Sequence, residues 1–322
     1  MRESETRKGG CCLVRKSSKQ IILLVVVTVA ITIGMFFFLK EVFAGNIILR
    51  EYVFRIGNFE LKWYSLMIAI GILVCYFLAR KRLSDYPIKP EDLDEGLFWG
   101  IIAGIIGARA YYVIFNWDYY SRYPSEIWKT WHGGLAIHGA IFAVLIMLFI
   151  YSKAKGYFKF VHATDLFTSV LPLGQAIGRW GNFFNYEAYG RPTMVPWKMF
   201  VPPEKRMPGF DVNRYFHPTF LYESLWNLAV FLFLFFYVEK RKQSYGETTA
   251  LYLILYSIGR FWIESLRLDS LMAGQLRTAQ VVSIVMIIIG AIWYAYLIGR
   301  RKTVSTNATN NADDDNDLGE KQ

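Results

Sequence analysis

The sequence predicts an all-α protein, a polytopic transmembrane helical bundle, on three observations. Hydrophobic residues make up 54% of the 322 residues and aromatic residues 17%, well above the share usual in soluble domains. They fall in uninterrupted blocks, of which 21–39 contains no charged residue. A bilayer-spanning helix needs roughly 20 such residues, whereas a membrane β-barrel would show alternation in runs of about 10.

Eight apolar blocks predict eight spans. Within lipid the backbone must satisfy its own polar groups, so each block is expected to be a helix. The blocks lie at about 21–39, 64–79, 95–115, 135–151, 162–179, 219–238, 249–266 and 279–298.

The first span follows a basic cytoplasmic N-terminal segment, residues 1–20. We interpret 21–40 as a signal anchor. The alternative is a signal peptide cleaved near Ala44, since small residues stand where cleavage requires them. The anchor is favoured because the apolar block is longer than a usual signal-peptide core.

Basic clusters beside the span ends orient the chain with both termini in the cytoplasm. The transmembrane domain is then 41–302 with an outside loop at 181–217, and 303–322 is a disordered acidic cytoplasmic tail. This topology explains the net charge of +10, so no nucleic-acid partner is expected. The clusters are Arg80-Lys81-Arg82, Lys153 with Lys155, Lys240-Arg241-Lys242 and Arg300-Arg301-Lys302.

The most informative polar segment emerges from the fifth span. Ionisable groups inside a membrane cost about 2.5–3.5 kcal/mol each on insertion scales, so they indicate function by default. Arg179 offers a planar fork of donors suited to a phosphodiester. Alternatively, Arg179 pairs with Glu187 or Asp165 as an internal strut. The segment runs Gly178-Arg179-Trp180-Gly181-Asn182-Phe183-Phe184-Asn185-Tyr186-Glu187 and is followed by Gly190, and its glycines would let a ligand approach the backbone.

A second polar group lies on the seventh predicted span. Steps of four, four and three residues place Tyr256, Arg260, Glu264 and Arg267 on one helical face. Glu264 is one turn from Arg260 and can hold its guanidinium. The alternative is a polar seam between helices. Two arginines from different spans facing one cavity would form an anion site.

His138 begins the fourth span, after Gly133-Gly134, and is a candidate general base. A lone histidine in a span is equally often a hydrogen-bonded packing residue. The other histidines show no metal-ligand spacing. The remaining interior polar candidates are Tyr64, Arg109 and Glu223.

These segments together resemble the prolipoprotein diacylglyceryl transferase family. The run from Gly178 to Gly190, Gly-Arg-x-Gly-Asn-Phe-x-Asn-x-Glu-x-x-Gly, is similar to that family's long and highly specific signature. Weaker motifs follow the family's order over about 45–300. They are Trp63-Tyr64, Gly107-x-Arg109, Gly133-Gly134-x-x-x-His138-Gly139, Asp165, His217-Pro218-Thr-x-Leu-Tyr-Glu223 and Tyr256-x-x-x-Arg260-x-x-x-Glu264-x-x-Arg267.

The resemblance implies a seven-span enzyme of the bacterial plasma (inner) membrane, with its active site toward the outer leaflet. It implies transfer of diacylglyceryl from phosphatidylglycerol to the lipobox cysteine of a prolipoprotein signal peptide, forming a thioether and releasing glycerol phosphate. No metal or other cofactor is implied. The implied catalytic residues are His138, Arg179, Arg260 and Tyr256, and the implied phosphatidylglycerol-binding residues are Arg179, Arg260, Asn182, Glu187, Gly190, Tyr64 and Glu264.

The chain departs from the family in two ways. The span at 21–39 is additional, so the prediction is seven family-like spans plus one extra N-terminal span. His138-Gly139 is followed by Ala140, where a second glycine is common.

The expected reaction is an alkyl transfer, in which the substrate cysteine supplies the nucleophile and none of this chain's three cysteines is needed. Arg179 and Arg260 would bind the phosphate and stabilise the leaving group. His138 would accept the thiol proton, with Glu187 or a water as alternatives. Two alternative functions are a transporter or channel for a small anion and a scaffold without catalytic activity.

Overall fold

Long helices dominate the computed structural model, which describes residues 18–57, 59–270 and 272–319. Most of the predicted N-terminal segment, up to residue 17, lies outside the described residues. The α-helices are α1 (Ser18–Ala44), α2 (Trp63–Lys81), α3 (Pro90–Phe115), α4 (Trp117–Tyr120), α5 (Ile137–Lys155), α6 (Phe160–Asn185), α7 (Thr219–Leu232), α8 (Glu239–Arg241), α9 (Glu247–Glu264) and α10 (Thr278–Gly319).

Long helices cover all eight predicted apolar blocks, so the class of helical membrane protein is confirmed. Among the described residues, six helices are long and apolar enough to cross a bilayer. The helices α6 and α9 are not among them, so the count of eight spans stays a prediction. The six are Val26–Ala44, Trp63–Lys81, Pro90–Phe115, Ile137–Lys155, Thr219–Arg241 and Thr278–Arg301.

The helices α6 and α9 are more polar because they bury polar side chains against other helices rather than exposing them to lipid. Asp165 on α6 is fully buried. Its carboxylate accepts hydrogen bonds from the backbone N–H of Gly246 (2.7 Å) and of Thr249 (2.9 Å), at the N-terminus of α9. Asp165 therefore caps α9. It is no partner of Arg179, which lies four turns, about 21 Å, along α6.

A buried ionic cluster closes the end of the bundle at which α9 begins, which we call the opposite end. The Glu239 carboxylate accepts hydrogen bonds from the Tyr86 hydroxyl (2.9 Å), Lys242 Nζ (3.0 Å) and Arg82 Nη1 (3.3 Å). Arg82 also donates to a backbone carbonyl (2.7 Å) of the π-helical segment Phe233–Val238, which joins α7 to α8. These bonds fix α2, α7 and α9 together.

Glycines allow two pairs of helices to pack at close range. A Cβ on Gly139 of α5 would lie 2.2 Å from the carbonyl oxygen of Gly107 on α3. A Cβ on Gly71 of α2 would lie 3.1 Å from the carbonyl oxygen of Gly174 on α6. Small residues at such contacts are typical of membrane helices. The motif residues Gly107 and Gly139 therefore serve helix packing.

Three short antiparallel hairpins lie at the end where α6 and α9 stop, which we call the site end. They connect α1 to α2, α6 to α7 and α9 to α10. The strands are β1 (Tyr52–Ile56) with β2 (Phe59–Lys62), β3 (Met199–Phe200) with β4 (Tyr215–Phe216), and β5 (Met272–Ala273) with β6 (Leu276–Arg277).

The loop after α6 begins later than predicted. The helix continues to Asn185 and ends at Tyr186, whose φ of 51° turns the chain out of the helix. The predicted outside loop, 181–217, is therefore shorter at its start. As a result Arg179 and Asn182 lie inside the last turns of α6, on a rigid element.

The helix α1 joins the bundle through its last turn. Val42 is fully buried and belongs to an apolar cluster with Phe183 and Phe220. The side chains before it face outward, as at Ile31 (64% exposed) and Phe36 (65%). This surface is suited to lipid, as expected of the extra N-terminal span.

The helix α10 runs to Gly319, through most of the segment 303–322 that was predicted to be a disordered tail. A helix that its apolar part has already nucleated extends at low free-energy cost per residue. Residues 320–322 lie outside the described residues.

The contact between α3 and α5 gives a stability prediction. Replacing Gly107 with Ala places a Cβ 2.2 Å from the Cβ of Ala143, so the helices must separate. We expect the free energy of unfolding in detergent to fall by about 1–3 kcal/mol, as in overpacked interiors. Gly104→Ala is the matched control, because its Cβ would lie 3.5 Å from Val144, an ordinary contact. Equal melting temperatures for the two variants would contradict the packing role.

Candidate active site

Two arginines from different helices meet on one buried carboxylate. Glu223 on α7 is 5% exposed. Arg179 Nε, from α6, contacts one of its oxygens, and Arg260 Nη1, from α9, contacts the other. The structure thus brings together the two arginines that sequence reasoning placed at one site. Their shared partner is Glu223, rather than the Glu187 or Asp165 considered for Arg179.

Two more charged groups extend the site. The Arg260 Nη2 lies 2.6 Å from the Glu264 carboxylate, one turn away on α9. The Arg267 guanidinium lies 3.7 Å from Glu223 and 4.0 Å from Glu264. Because α9 ends at Glu264, Arg267 lies beyond the helical face predicted for it, but it still joins the ionic network. We call Arg179, Glu223, Arg260, Glu264 and Arg267 the arginine–carboxylate site.

The charges of the site balance once its rim is included. The site contains three guanidiniums and two buried carboxylates, and Asp269 supplies a third carboxylate. At its rim, Arg267 binds Asp269 through two hydrogen bonds (2.9 and 2.7 Å). Burial opposes ionisation of Asp269, but the hydrogen bonds and charge of Arg267 outweigh it and lower the pKa of Asp269 below its usual value.

Sequence reasoning missed Arg277, which fixes the chain after α9. Its guanidinium donates to the backbone carbonyls of Glu264 and Arg267 and to the Ser270 hydroxyl (3.0 Å). It satisfies carbonyls that the end of a helix leaves free. No sequence signal marked it, because its partners are backbone atoms of a loop.

Asn182 connects Arg179 to Glu187. The Arg179 Nη1 donates to the Asn182 side-chain oxygen (3.3 Å), and the Asn182 amide donates to the Glu187 carboxylate (2.8 Å). Asn185 also donates to Glu187 (3.3 Å). Glu187 therefore orders the end of α6 and reaches Arg179 through one intermediary.

Two tyrosines of the predicted site lie near Arg179. Tyr64 packs on α6, where a Cβ on Gly181 would lie 2.7 Å from its ring. Tyr256 stacks on Tyr252 with 5.5 Å between ring centroids. Both Tyr64 and Tyr256 are close enough to interact electrostatically with the Arg179 guanidinium.

Gly190, which the sequence predicts to bind the ligand, is closely packed by the protein itself. A Cβ here would lie 2.8 Å from the His217 Cβ and 2.9 Å from the Leu266 carbonyl oxygen. The glycine lets the loop after α6 pass between β4 and the end of α9. Its neighbour His217 is neutral at pH 7, because burial lowers the pKa of its ring.

No hydrogen bond, ion pair or ring contact among the described residues joins His138 to the arginine–carboxylate site. His138 lies in the first turn of α5, is exposed, and has its ring centroid 6.1 Å from that of Tyr111. Among the described residues it forms no hydrogen bond or ion pair. The turn before it is fixed by Arg109, which donates to five backbone carbonyls, those of Glu126, Ile127, Lys129, Gly133 and Gly134. Arg109 is therefore structural.

A small cavity adjoins the arginine–carboxylate site between α7 and α9. Its size suits a group no larger than a water or a hydroxyl. Within the described chain, no three His, Cys, Asp or Glu side chains are grouped to hold a metal ion. The cavity is lined by Glu223, Trp226, Asn227, Tyr256, Gly259, Arg260 and Ile263.

The fold and the site define a helical membrane protein with a buried network of arginines and carboxylates inside its bundle. The chain matches the family described as prolipoprotein diacylglyceryl transferase over residues 51–296. It therefore belongs to that family, and α1 precedes the matched region.

Three relatives share the name phosphatidylglycerol–prolipoprotein diacylglyceryl transferase. The chain is 77% identical over 272 residues to that of Fervidobacterium nodosum, covering 84% of this chain and 93% of the relative. It is 55% identical over 257 residues to that of Thermotoga maritima, covering 80% and 87%. It is 47% identical over 242 residues to that of Gloeobacter violaceus, covering 74% and 90%.

The shared carboxylate gives the second prediction. Glu223→Gln leaves three guanidiniums with one carboxylate less, and breaking a buried ion pair typically costs about 3–5 kcal/mol. We expect a lower melting temperature in detergent, and a larger rise on adding inorganic phosphate than wild type shows, because the anion replaces the lost charge. Glu60→Gln is the control, since its partner Arg55 is 60% exposed and such pairs contribute little. A variant as stable as wild type would rule out the organising role.

Proposed function

We propose that this chain transfers the diacylglyceryl group of phosphatidylglycerol to the thiol of the lipobox cysteine in prolipoproteins. The meeting of Arg179 and Arg260 on one carboxylate carries the proposal, since it supplies two forked cations at one point. Membership of the prolipoprotein diacylglyceryl transferase family over residues 51–296 supports it. The name that the three relatives share also supports the proposed transfer.

The phosphodiester of the lipid binds at the two arginines. Both guanidiniums are already ordered by Glu223, a carboxylate with the same single charge as a phosphodiester. The phosphate accepts N–H groups that Glu223 leaves free, from both forks. Glu264 holds Arg260 from the other side. The donors are therefore preorganised where negative charge develops.

The reaction exchanges one bond at a glycerol carbon. The cysteine thiol loses its proton, and the thiolate sulfur attacks the carbon that bears the phosphate oxygen. The carbon–oxygen bond breaks as the carbon–sulfur bond forms, and its electron pair stays on the phosphate. Glycerol phosphate leaves with this added charge, which Arg179 and Arg260 stabilise.

We assign proton acceptance to His138. Its ring is exposed and makes no hydrogen bond to described residues, so a substrate thiol can approach it. The thiol then lies between His138 and the arginine–carboxylate site when it reacts. Glu187 is the alternative acceptor, since Asn182 connects it to Arg179.

The closed opposite end favours an enzyme over a transporter. A translocation path needs openings on both sides of the membrane. The buried bonds of Glu239 to Tyr86, Lys242 and Arg82 instead bind the helices together below the site. An active site that is reached from one end and from the bilayer fits this arrangement.

We infer from the basic clusters that the opposite end, with both chain termini, faces the cytoplasm of a bacterial cell. The site end then faces the outer leaflet of the plasma membrane. Phosphatidylglycerol enters sideways from the bilayer, and the apolar helix of the signal peptide brings its cysteine to the same depth.

The direct test measures transfer of labelled diacylglyceryl from phosphatidylglycerol to a lipobox peptide by the purified chain in detergent. We expect a thioether product that disappears with Arg179→Ala, because the leaving group loses a cation. Absence of product from folded wild-type protein would contradict the proposed function.

Arg260→Lys separates charge from geometry. An ammonium keeps the charge but cannot contact two acceptors through a planar fork. We expect transfer to fall at least about 100-fold, the scale of losing one preorganised donor. Arg55→Lys, on the exposed hairpin, is the matched control and should retain wild-type turnover. Near-normal activity of Arg260→Lys would refute the forked contact.

The role of His138 predicts a change in the pH–rate profile. A general base contributes about 10²–10⁴-fold, so His138→Asn should lower kcat/KM by at least about 100-fold. It should also remove the fall in rate at acidic pH that wild type owes to protonation of its base. If the acidic fall persists in His138→Asn but disappears in Glu187→Gln, the proton acceptor is Glu187.

A further inference from the structure

A second layer of polar side chains lies one helical turn from the arginine–carboxylate site, toward the opposite end. Its members are Gln175 on α6, Asn227 on α7 and Tyr256 on α9. Each is four residues from a charged member of the site on the same helix, a distance of about one 5.4 Å turn. All three are uncharged, and we call them the neutral layer.

The neutral layer has hydrogen-bonding groups that the protein leaves unused. Asn227 is only 3% exposed, yet its side chain forms no hydrogen bond with the described residues. The side-chain oxygen of Gln175 is buried without a partner, although its amide donates to the Tyr252 hydroxyl (2.9 Å). The Tyr256 hydroxyl likewise has no hydrogen bond among the described residues. Buried polar groups normally have partners, so these three require an explanation.

Two of the three members of the neutral layer, Asn227 and Tyr256, border the cavity between α7 and α9. They line it together with Arg260 and Glu223. Its wall is rigid, because Trp226 donates its indole N–H to the Leu255 carbonyl (2.9 Å). The cavity therefore joins the neutral layer to the charged site.

The chemistry of the neutral layer suits a hydroxyl group. An amide and a phenol both donate and accept hydrogen bonds, as a hydroxyl does. An acyl chain would leave these groups unsatisfied.

We propose that Gln175, Asn227 and Tyr256 recognise the outer hydroxyl group of the glycerol that is esterified to the lipid phosphate. This inference rests on the proposed function, in which that glycerol departs with the phosphate. When Arg179 and Arg260 hold the phosphate, the outer hydroxyl of the glycerol reaches the neutral layer one turn away. The layer thereby selects phosphatidylglycerol over phospholipids whose head group has no hydroxyl.

The test compares two donors whose head groups differ in the two hydroxyls and in one carbon atom. Phosphatidylglycerol and phosphatidylethanol with the same acyl chains both carry a singly charged phosphodiester. Transfer from each to a lipobox peptide is measured with the full chain, as kcat/KM. We expect wild type to favour phosphatidylglycerol at least about tenfold, as one lost hydrogen bond to a buried group implies.

Asn227→Leu and Gln175→Met remove hydrogen bonding at similar size. Each should lower kcat/KM about tenfold for phosphatidylglycerol and leave phosphatidylethanol nearly unchanged, so that the preference shrinks. Asn227→Leu guards against misfolding, because the Asn227 side chain has no hydrogen bond among the described residues, whereas Gln175→Met also loses the donation to the Tyr252 hydroxyl (2.9 Å). Ser283→Ala is the control: this buried hydroxyl bonds to Ala279 within α10 (2.7 Å), and its loss should keep the preference.

A binding measurement separates the two proposals. Glycerol phosphate should raise the melting temperature of wild type more than inorganic phosphate does, and Asn227→Leu should lose this difference. The subsite is overturned if wild type treats both donors alike, or if the variants lose the same factor with both. If wild type transfers from neither donor while the difference in melting temperature persists, the proposed transfer fails and the hydroxyl subsite stands.

Discussion

The carboxylate of Glu223 is the interaction on which the rest of the site depends. It is buried, and it receives guanidinium groups from α6 and α9 while standing on α7. A carboxylate buried alone would be strongly destabilising, and so would the arginines without it. Three helices are therefore held in one arrangement by charges that none of them could bury separately.

That arrangement is fixed a second time at the opposite end. Asp165 caps α9 from α6, and Glu239 binds groups from α2 and the turn before α9. Because polar contacts join the helices both at the site end and at the opposite end, the rotation of each helix and its position along the bundle axis are fixed. The alignment of the charged site with the neutral layer follows, because both layers use the same three helices at one-turn spacing.

Much of the fold could be predicted from sequence because lipid imposes long apolar blocks. The stripe on α9 could be predicted because Arg260 and Glu264 are neighbours on one helix. The partner of Arg179, which is Glu223, could not be predicted, because that contact depends on how α7 is rotated against α6. Nor could the packing of Gly190, where the clash involves residues distant in sequence. The ring contact of His138 with Tyr111 could not be predicted either, because the order of motifs along the chain carries no information on distance.

The attachment of α1 at one end has a consequence for how this protein tolerates change. Its last turn, around Val42, fits a defined apolar socket formed with Phe183 and Phe220. The turns before it meet only the surroundings of the bundle, as the exposure of Ile31 and Phe36 indicates. Apolar substitutions along most of α1 should therefore have little effect on stability. Substitutions in its final turn should be destabilising. Only the last turn of α1 makes specific contacts with the bundle. A different membrane helix should therefore be able to replace the earlier turns, provided that it keeps the residues around Val42.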